Sequence, residues 1–240
     1  MPIGVICNVL AVALGGVLGA ALKRHIGEAF KDKLNMIFGL CSMAMGIASI
    51  VLMENMPAVV FSLILGTAVG IWLRLGERFE SGAARVQGLF ARLSGGATGS
   101  DAQTAAFITV IVLFCASGTG IYGAIVSGMS GDHSILVSKS ILDLFTSMIF
   151  ACSLGAVVSV IAIPQLCIFL ALFFLARFIY PLTTPAMIND FKACGGFIML
   201  ATGFRIIKVK MFPTADMIPA MILVMPLSWL WAAWILPLLA

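Results

Sequence analysis

Charge is what this 240-residue chain has least of: 10% of its residues are Asp, Glu, Lys or Arg, where soluble domains carry about 25%. With 62% hydrophobic residues and a mean hydropathy of +1.15, it cannot clothe a water-soluble surface and reads as an integral membrane protein. Histidine is almost missing. His25 and His133 are the only two, both in or near loops, with no spacing that makes a metal pair. No C-x-x-C occurs; Cys7, Cys41, Cys115, Cys152, Cys167 and Cys194 are scattered through apolar runs and read as small buried hydrophobes. No HExxH, Ser/His/Asp set or paired-carboxylate motif stands out, so the expectation is a protein that is not an enzyme, with no catalytic residue, metal site or cofactor. The formal charge of +4 comes from short loops and speaks to topology. No basic patch interleaves with aromatics, so nucleic acid is not an expected partner. Marks of a removable leader are also absent: Met1-Pro2 lead straight into apolar residues without a basic n-region or a cleavage site, so the first apolar run is expected to stay as a span.

A spanning helix needs roughly 20 mostly apolar residues. Eight segments qualify: residues 3–22, 34–53, 57–73, 104–129, a fifth that holds 130–155 and runs on to 160, 163–180, 190–207 and 217–238. The junction at Ala162–Pro164 is almost no loop at all, so seven spans is the alternative. The expected fold is an all-α polytopic transmembrane bundle forming one domain over 1–240, with the lipid bilayer as its first partner. The only long hydrophilic piece is Arg74–Gln103. Its first part has Leu75, Phe79, Val86, Leu89, Phe90 and Leu93 among charges, which suits a helix lying on the membrane or one packed on the bundle. SGGATGS, residues 94–100, reads as a flexible linker. Trp229, Trp231 and Trp234 suit an interfacial belt.

Lys and Arg crowd the loop after the first span, the segment after the third, and Arg205–Lys210; the loops between the second and third and between the fourth and fifth spans carry none. The positive-inside rule puts the basic loops in the cytoplasm and both termini outside. Gly39, Ala44 and Gly46 recur as Gly196, Ala201 and Gly203 at the same spacing. Each triplet lies in the middle span of a three-span group, and an odd number of spans separates the two. That is the pattern of an inverted repeat: residues 1–78 and 161–240 as the two three-helix groups, 79–103 as the cytoplasmic amphipathic segment and linker, and 104–160 as a central helix pair.

The stretch around which the rest is organised is SGDHSILVSKSILDLFTSMIFACSLG, residues 130–155. Winding it at 100° per residue gathers Lys139, Ser140, Asp143, Thr146 and Ser147 into an arc of roughly 120°, with Ile141, Leu142, Leu144 and Phe145 elsewhere. A charge deep in a bilayer costs roughly 2.5–3.5 kcal/mol even on insertion scales, so this side should face protein or water. Lys139 and Asp143 can pair with each other at i, i+4. Two readings stand: a pair that fastens the bundle, or Asp143 as the carboxylate that carries an ion or proton, with Lys139 competing with the transported cation. Asn8 and Gln165 occupy corresponding places in the two groups and either bond across helices or face the path.

The fourth span ends in Ser117, Gly118, Thr119, Gly120, Gly123, Ser127 and Gly128. Gly118 to Gly123 matches G-x-G-x-x-G literally, but no βαβ unit surrounds it, so dinucleotide binding is not expected. These glycines serve either close helix packing or a break that frees backbone carbonyls, with Gly131-Asp132-His133-Ser134 as a tight turn at its mouth. Gly66 and Gly70 suit a homodimer interface or internal packing.

N-x-x-A-V-x-x-G-G at Asn8–Gly16, L-G-x-x-x-G at Leu65–Gly70, GDHSxLxxKSxLD at Gly131–Asp143 and A-x-G-G-x-x-x-x-x-x-G at Ala193–Gly203 together resemble the bacterial membrane family called domain of unknown function 554, with its YdfK-like and YqgA-like members. The resemblance runs nearly end to end and implies a multi-pass protein of the bacterial plasma membrane. It brings no settled activity. The functional expectation therefore rests on the residues: a secondary transporter of a small solute or ion, with Asp143, Lys139, Ser140, Thr146, Ser147, Asp132, Gly120, Gly123 and Asn8 at its site. The alternatives are a passive channel with the same lining and a non-transporting scaffold or sensor.

Overall fold

Long apolar runs leave a backbone one stable choice inside lipid, because each N–H and C=O must then be satisfied within its own helix. The computed structural model, which describes residues 1–22, 27–93, 107, 110–111, 113–115 and 117–239, is accordingly helical with no strand among those residues. The helices are α1 (Ile3–Leu22), α2 (Glu28–Ile50), α3 (Met56–Trp72), α4 (Leu75–Leu93), α5 (Gly118–Ser130), α6 (Ser134–Leu154), α7 (Ala162–Ile179), α8 (Pro185–Ile206), α9 (Ile218–Leu230) and a terminal turn α10 (Leu236–Leu239). A 3-10 segment, Ala156–Ile161, joins α6 to α7, and a π-helical turn, Trp231–Ile235, follows α9.

Six of the described stretches are long and apolar enough to cross a membrane, one of them, Leu113–Ser130, running over a break at Ser117, and Met56–Trp72 with Leu75–Arg85 makes a seventh if that bent pair is one span. The helix α8 has the length but is not among them; it carries Asp190 and Lys192 in its first turns. The linker at residues 94–100 and His25 lie outside the described residues.

The chain forms two compact units. One comprises Met1–Asn35 and Glu77–Leu175, the other Met36–Gly76 and Ala176–Ala240. In the first unit α1 runs parallel to α6, with Gly4 against Leu136 and His133, Gly15 against Leu144 and Ser147, and Gly19 against Met148. Small residues let the two backbones approach closely, and the Cys152 thiol donates to the Gly19 carbonyl at 3.4 Å. The core of this unit joins Val12, Phe107, Ile111, Phe114, Ala151 and Ile161. Ala83 of α4 belongs to the same core, so α4 packs on its unit instead of lying free on the membrane.

Two element ends differ from the sequence reading. The fourth span is not one helix: Ser117 is extended at φ −70°, ψ 133°, and starts a new helix by accepting from the Gly120 amide at 3.0 Å. The fifth stops at Leu154, where Gly155 takes φ +83°, a conformation that L side chains rarely adopt. The expected break at Ala162–Pro164 is thus moved upstream, because Gly155, and not Pro164, has the torsional freedom to end the turn.

In the second unit α2 and α8 pack antiparallel through glycine. A methyl group on Gly46 would meet the Gly196 carbonyl at 2.6 Å, and one on Gly203 would meet the Gly39 carbonyl at 2.7 Å. α3 and α9 are likewise antiparallel, with Gly66 against Ala220 and Gly70 against Asp216. Both seams depend on backbones that touch, which explains why Gly66 and Gly70 serve internal packing.

Candidate functional site

The polar face of α6 points inward, as its winding requires. Lys139 and Asp143 are 4% and 7% exposed, whereas Val137, Ile141 and Phe145 on the same helix are exposed. Lys139 Nζ donates to Asp143 Oδ2 within one helical turn. Asn8 of α1, wholly buried, donates Nδ2 to the same Oδ2 at 2.8 Å. Gln165 of α7, equally buried, donates Nε2 to Asn8 Oδ1 at 2.8 Å and to the Phe114 carbonyl at 3.5 Å. One cation, one anion and two amides thus form a continuous chain, Lys139–Asp143–Asn8–Gln165, across three helices of one unit.

The break at Ser117 supplies the fourth wall. In an unbroken helix the Phe114 carbonyl would receive the amide of Gly118; here Ser117 caps a new helix and that carbonyl takes the Gln165 side chain instead. The amides that open α5 have no carbonyl before them in their own helix, so they put a partial positive charge beside the cluster. Gly120 is close to Lys139: a methyl group there would lie 3.1 Å from Lys139 Cε and collide with Phe169. The Lys139 ammonium also sits 5.8 Å from the centre of the Phe114 ring.

The remaining candidates are placed elsewhere or turned away. Ser140 is buried, but its hydroxyl donates to the Leu136 carbonyl at 2.6 Å; Ser147 donates to the Leu144 carbonyl at 3.0 Å and packs on Gly15. Both hydroxyls are spent on their own helix. Thr146 is half-buried. Gly123 packs on Leu136 and Ile135. Asp132 lies before α6, with Oδ1 accepting the Ser134 amide at 3.0 Å; it stands about three turns from Asp143, or roughly 16 Å at 1.5 Å per residue. His133, beside it, shares a 2.6 Å hydrogen bond with Ser127. Among the described residues no group of three or more His, Cys, Asp or Glu is placed to hold a metal ion.

Of the two alternatives the sequence left for Asn8 and Gln165, the bond across helices is the one formed; sequence reasoning missed two participants, Ser117 and Phe114 at the break. A second buried carboxylate was also missed. Asp190 of α8, in the second unit, accepts the Glu54 and Asn55 amides at 2.8 and 2.9 Å, Asn55 Nδ2 at 2.9 Å and the Ser228 hydroxyl at 2.6 Å. Four donors satisfy its two oxygens and tie α8 to the residues that lead into α3, so it reads as a structural anchor.

Comparison with known proteins gives relatives along the whole length. The "Uncharacterized protein YqgA" of Escherichia coli (strain K12) is 49% identical over 234 residues, covering 98% of this chain and 99% of the relative. The "Uncharacterized membrane protein YdfK" of Bacillus subtilis (strain 168) is 24% identical over 224 residues, covering 92% and 93%. No solved structure matches. Residues 3–229 match the family described as "Protein of unknown function (DUF554)", and the chain belongs to that family.

Proposed function

We propose that this protein is a secondary transporter of a small solute or ion in the bacterial inner membrane, with Asp143 as its central charged group. The observation that carries the reading is the buried Lys139–Asp143–Asn8–Gln165 chain beside a helix broken at Ser117. Ionisable groups at membrane depth are costly and face a bundle interior or a path, and broken helices beside them are how transporters present backbone groups to a solute. Solute and lipid are the expected partners, without catalysis or nucleic acid.

The reading includes an inverted repeat, which two kinds of contact support. Asn8 bonds Gln165, and Ser42 donates to the Met199 carbonyl at 3.0 Å; each pair is 157 residues apart. That is the offset between the two glycine triplets. A position that touches its own counterpart is what a pseudo-two-fold axis produces. The glycines agree: Gly39 meets Gly203, the counterpart of Gly46, while Gly46 meets Gly196, the counterpart of Gly39. Helix directions favour eight spans, since α1 lies parallel to α6 while α2 and α3 lie antiparallel to α8 and α9. With basic loops in the cytoplasm, both termini are then outside.

A scaffold is the second reading, favoured by Ser140 and Ser147, whose hydroxyls give their protons to their own helix. The test is a screen of amines, amino acids, organic acids and monovalent salts for compounds that raise the melting temperature in detergent. Hits are then carried to uptake by proteoliposomes. Loss of uptake in Asp143→Asn at unchanged amount and fold supports transport. Unchanged flux in Asp143→Asn supports the scaffold, and flux that follows no coupled gradient points to a channel.

A further inference from the structure

Gln165 has one settled side and one unsettled one. Its Nε2 has to face Asn8 Oδ1 and the Phe114 carbonyl, because both are acceptors: Asn8 gives its own amide to Asp143. That orientation turns Oε1 away from both, and this wholly buried oxygen has no hydrogen-bond partner among the described residues. Leaving a buried acceptor unmade forfeits its hydration, which native structures seldom tolerate without a ligand or water. Asp143 offers a second opening, since both of its bonds fall on Oδ2 and Oδ1 takes neither.

Metal cations in carbonyl sites are held by rings of oxygens. Here the Phe114 carbonyl and Asn8 Oδ1 already accept N–H groups, which leaves too few. An N–H donor needs only one acceptor in line. Lys139 shows that an alkylammonium fits in this place, against a carboxylate and beside the face of Phe114. We propose that Gln165 Oε1 is the specificity-determining acceptor for a small solute carrying an ammonium or primary alkylammonium group, which exchanges with Lys139 Nζ at Asp143. This rests on the transport site proposed above and names its substrate class.

The experiment follows the melting temperature of the full chain in detergent at equal ionic strength in ammonium, methylammonium, tetramethylammonium and sodium chlorides. Ammonium and methylammonium are expected to raise it; tetramethylammonium, which has the charge but no N–H, and sodium are not. In Gln165→Met the baseline falls because Asn8 and Phe114 lose a donor, and the methylammonium increment reports an affinity weaker by about tenfold or more. An equal rise with tetramethylammonium, a rise with sodium alone, no rise with either N–H cation, or an unchanged increment in Gln165→Met overturns the inference. The wild-type comparison can overturn the inference even if the variant does not fold. Methylammonium binding without proteoliposome uptake keeps the inference and removes the transporter. Uptake indifferent to Gln165→Met does the reverse.

Discussion

Removing one charge from the Lys139–Asp143 pair should do far more damage than removing both. On a surface such a pair is worth about 0–1 kcal/mol. Here the two side chains are only 5% and 10% exposed, so the buried case applies, in which a lone partner is left as an uncompensated charge at a cost of about 3–5 kcal/mol. Lys139→Met and Asp143→Asn should each lose that much in reversible unfolding from mixed micelles. The double variant keeps an oxygen for Asn8 Nδ2, holds no charge, and should fall within about 1 kcal/mol of wild type or above it. Single variants within about 0.5 kcal/mol of wild type would refute the desolvation argument. So would a double variant as damaged as the two singles together. Uptake then separates the readings: a stable double variant that no longer transports needs the charges for function, and one that is unimpaired in the cell used them only as a fastening.

Gly15→Ala should destabilise by about 1–3 kcal/mol or more, because the methyl group collides with the Ser147 hydroxyl and the Leu144 carbonyl; Gly82→Ala on α4, with none of the described residues within 4 Å of the added methyl group, should stabilise by about 0.5–1 kcal/mol. Thermal unfolding of the two variants side by side checks both signs. Asp190→Ala strips the acceptor from two amides and two side chains and should cost more than about 3 kcal/mol, with Asp190→Asn in between; an Asp190→Ala variant that melts with wild type would show that Asp190 is not the anchor of α3. Cys7, Cys41 and Cys167 are exposed while Cys115, Cys152 and Cys194 are buried. If the exposed three face lipid, a charged maleimide should label none of the six in intact membranes and all six after denaturation, and mass spectrometry reads the outcome.

Length and apolarity made six or seven of the eight expected spans legible, since a bilayer admits few alternatives, and the 100° winding of α6 correctly put Lys139 and Asp143 inside with Ile141 and Phe145 outside. Hydroxyls misled: a helical Ser satisfies itself on the carbonyl three or four residues back, so Ser140 and Ser147 enlarge the polar face without adding to the cluster. The Gly118–Gly123 run could not be resolved, because glycine permits a tight seam and a break equally; Ser117, a favoured cap residue, was the signal that a new helix starts there. Gln165 was legible as a partner of Asn8, since the glycine triplets fix the offset of 157 at which the two pair. Asp190 gave no such sign. Its four donors come from Glu54, Asn55 and Ser228, distant in sequence and brought together only by packing.

On the inverted-repeat reading, the two end states of transport are related by exchanging the conformations of the repeats, and that exchange sorts the seams of the molecule. A contact between a residue and its own counterpart maps onto itself, so Asn8–Gln165 and Ser42–Met199 are expected in both states; Gly39–Gly203 maps onto Gly46–Gly196, so the α2–α8 seam is kept as a set. Lys139 and Asp143 have no counterpart, because α6 lies outside both three-helix groups. The seam between α1 and α6 is therefore the one that has to open and close. In a background without native cysteines, cysteines at Ser42 and Met199, when cross-linked, should leave uptake running. Cysteines at Gly4 and Leu136, whose Cβ atoms would lie 3.0 Å apart, need to part by only a few tenths of an ångström to span a disulfide, and oxidising them should stop uptake while reduction restores it. Uptake that survives the Gly4–Leu136 link, or ends with the Ser42–Met199 link, would mean that the moving seam is not the one the repeat selects.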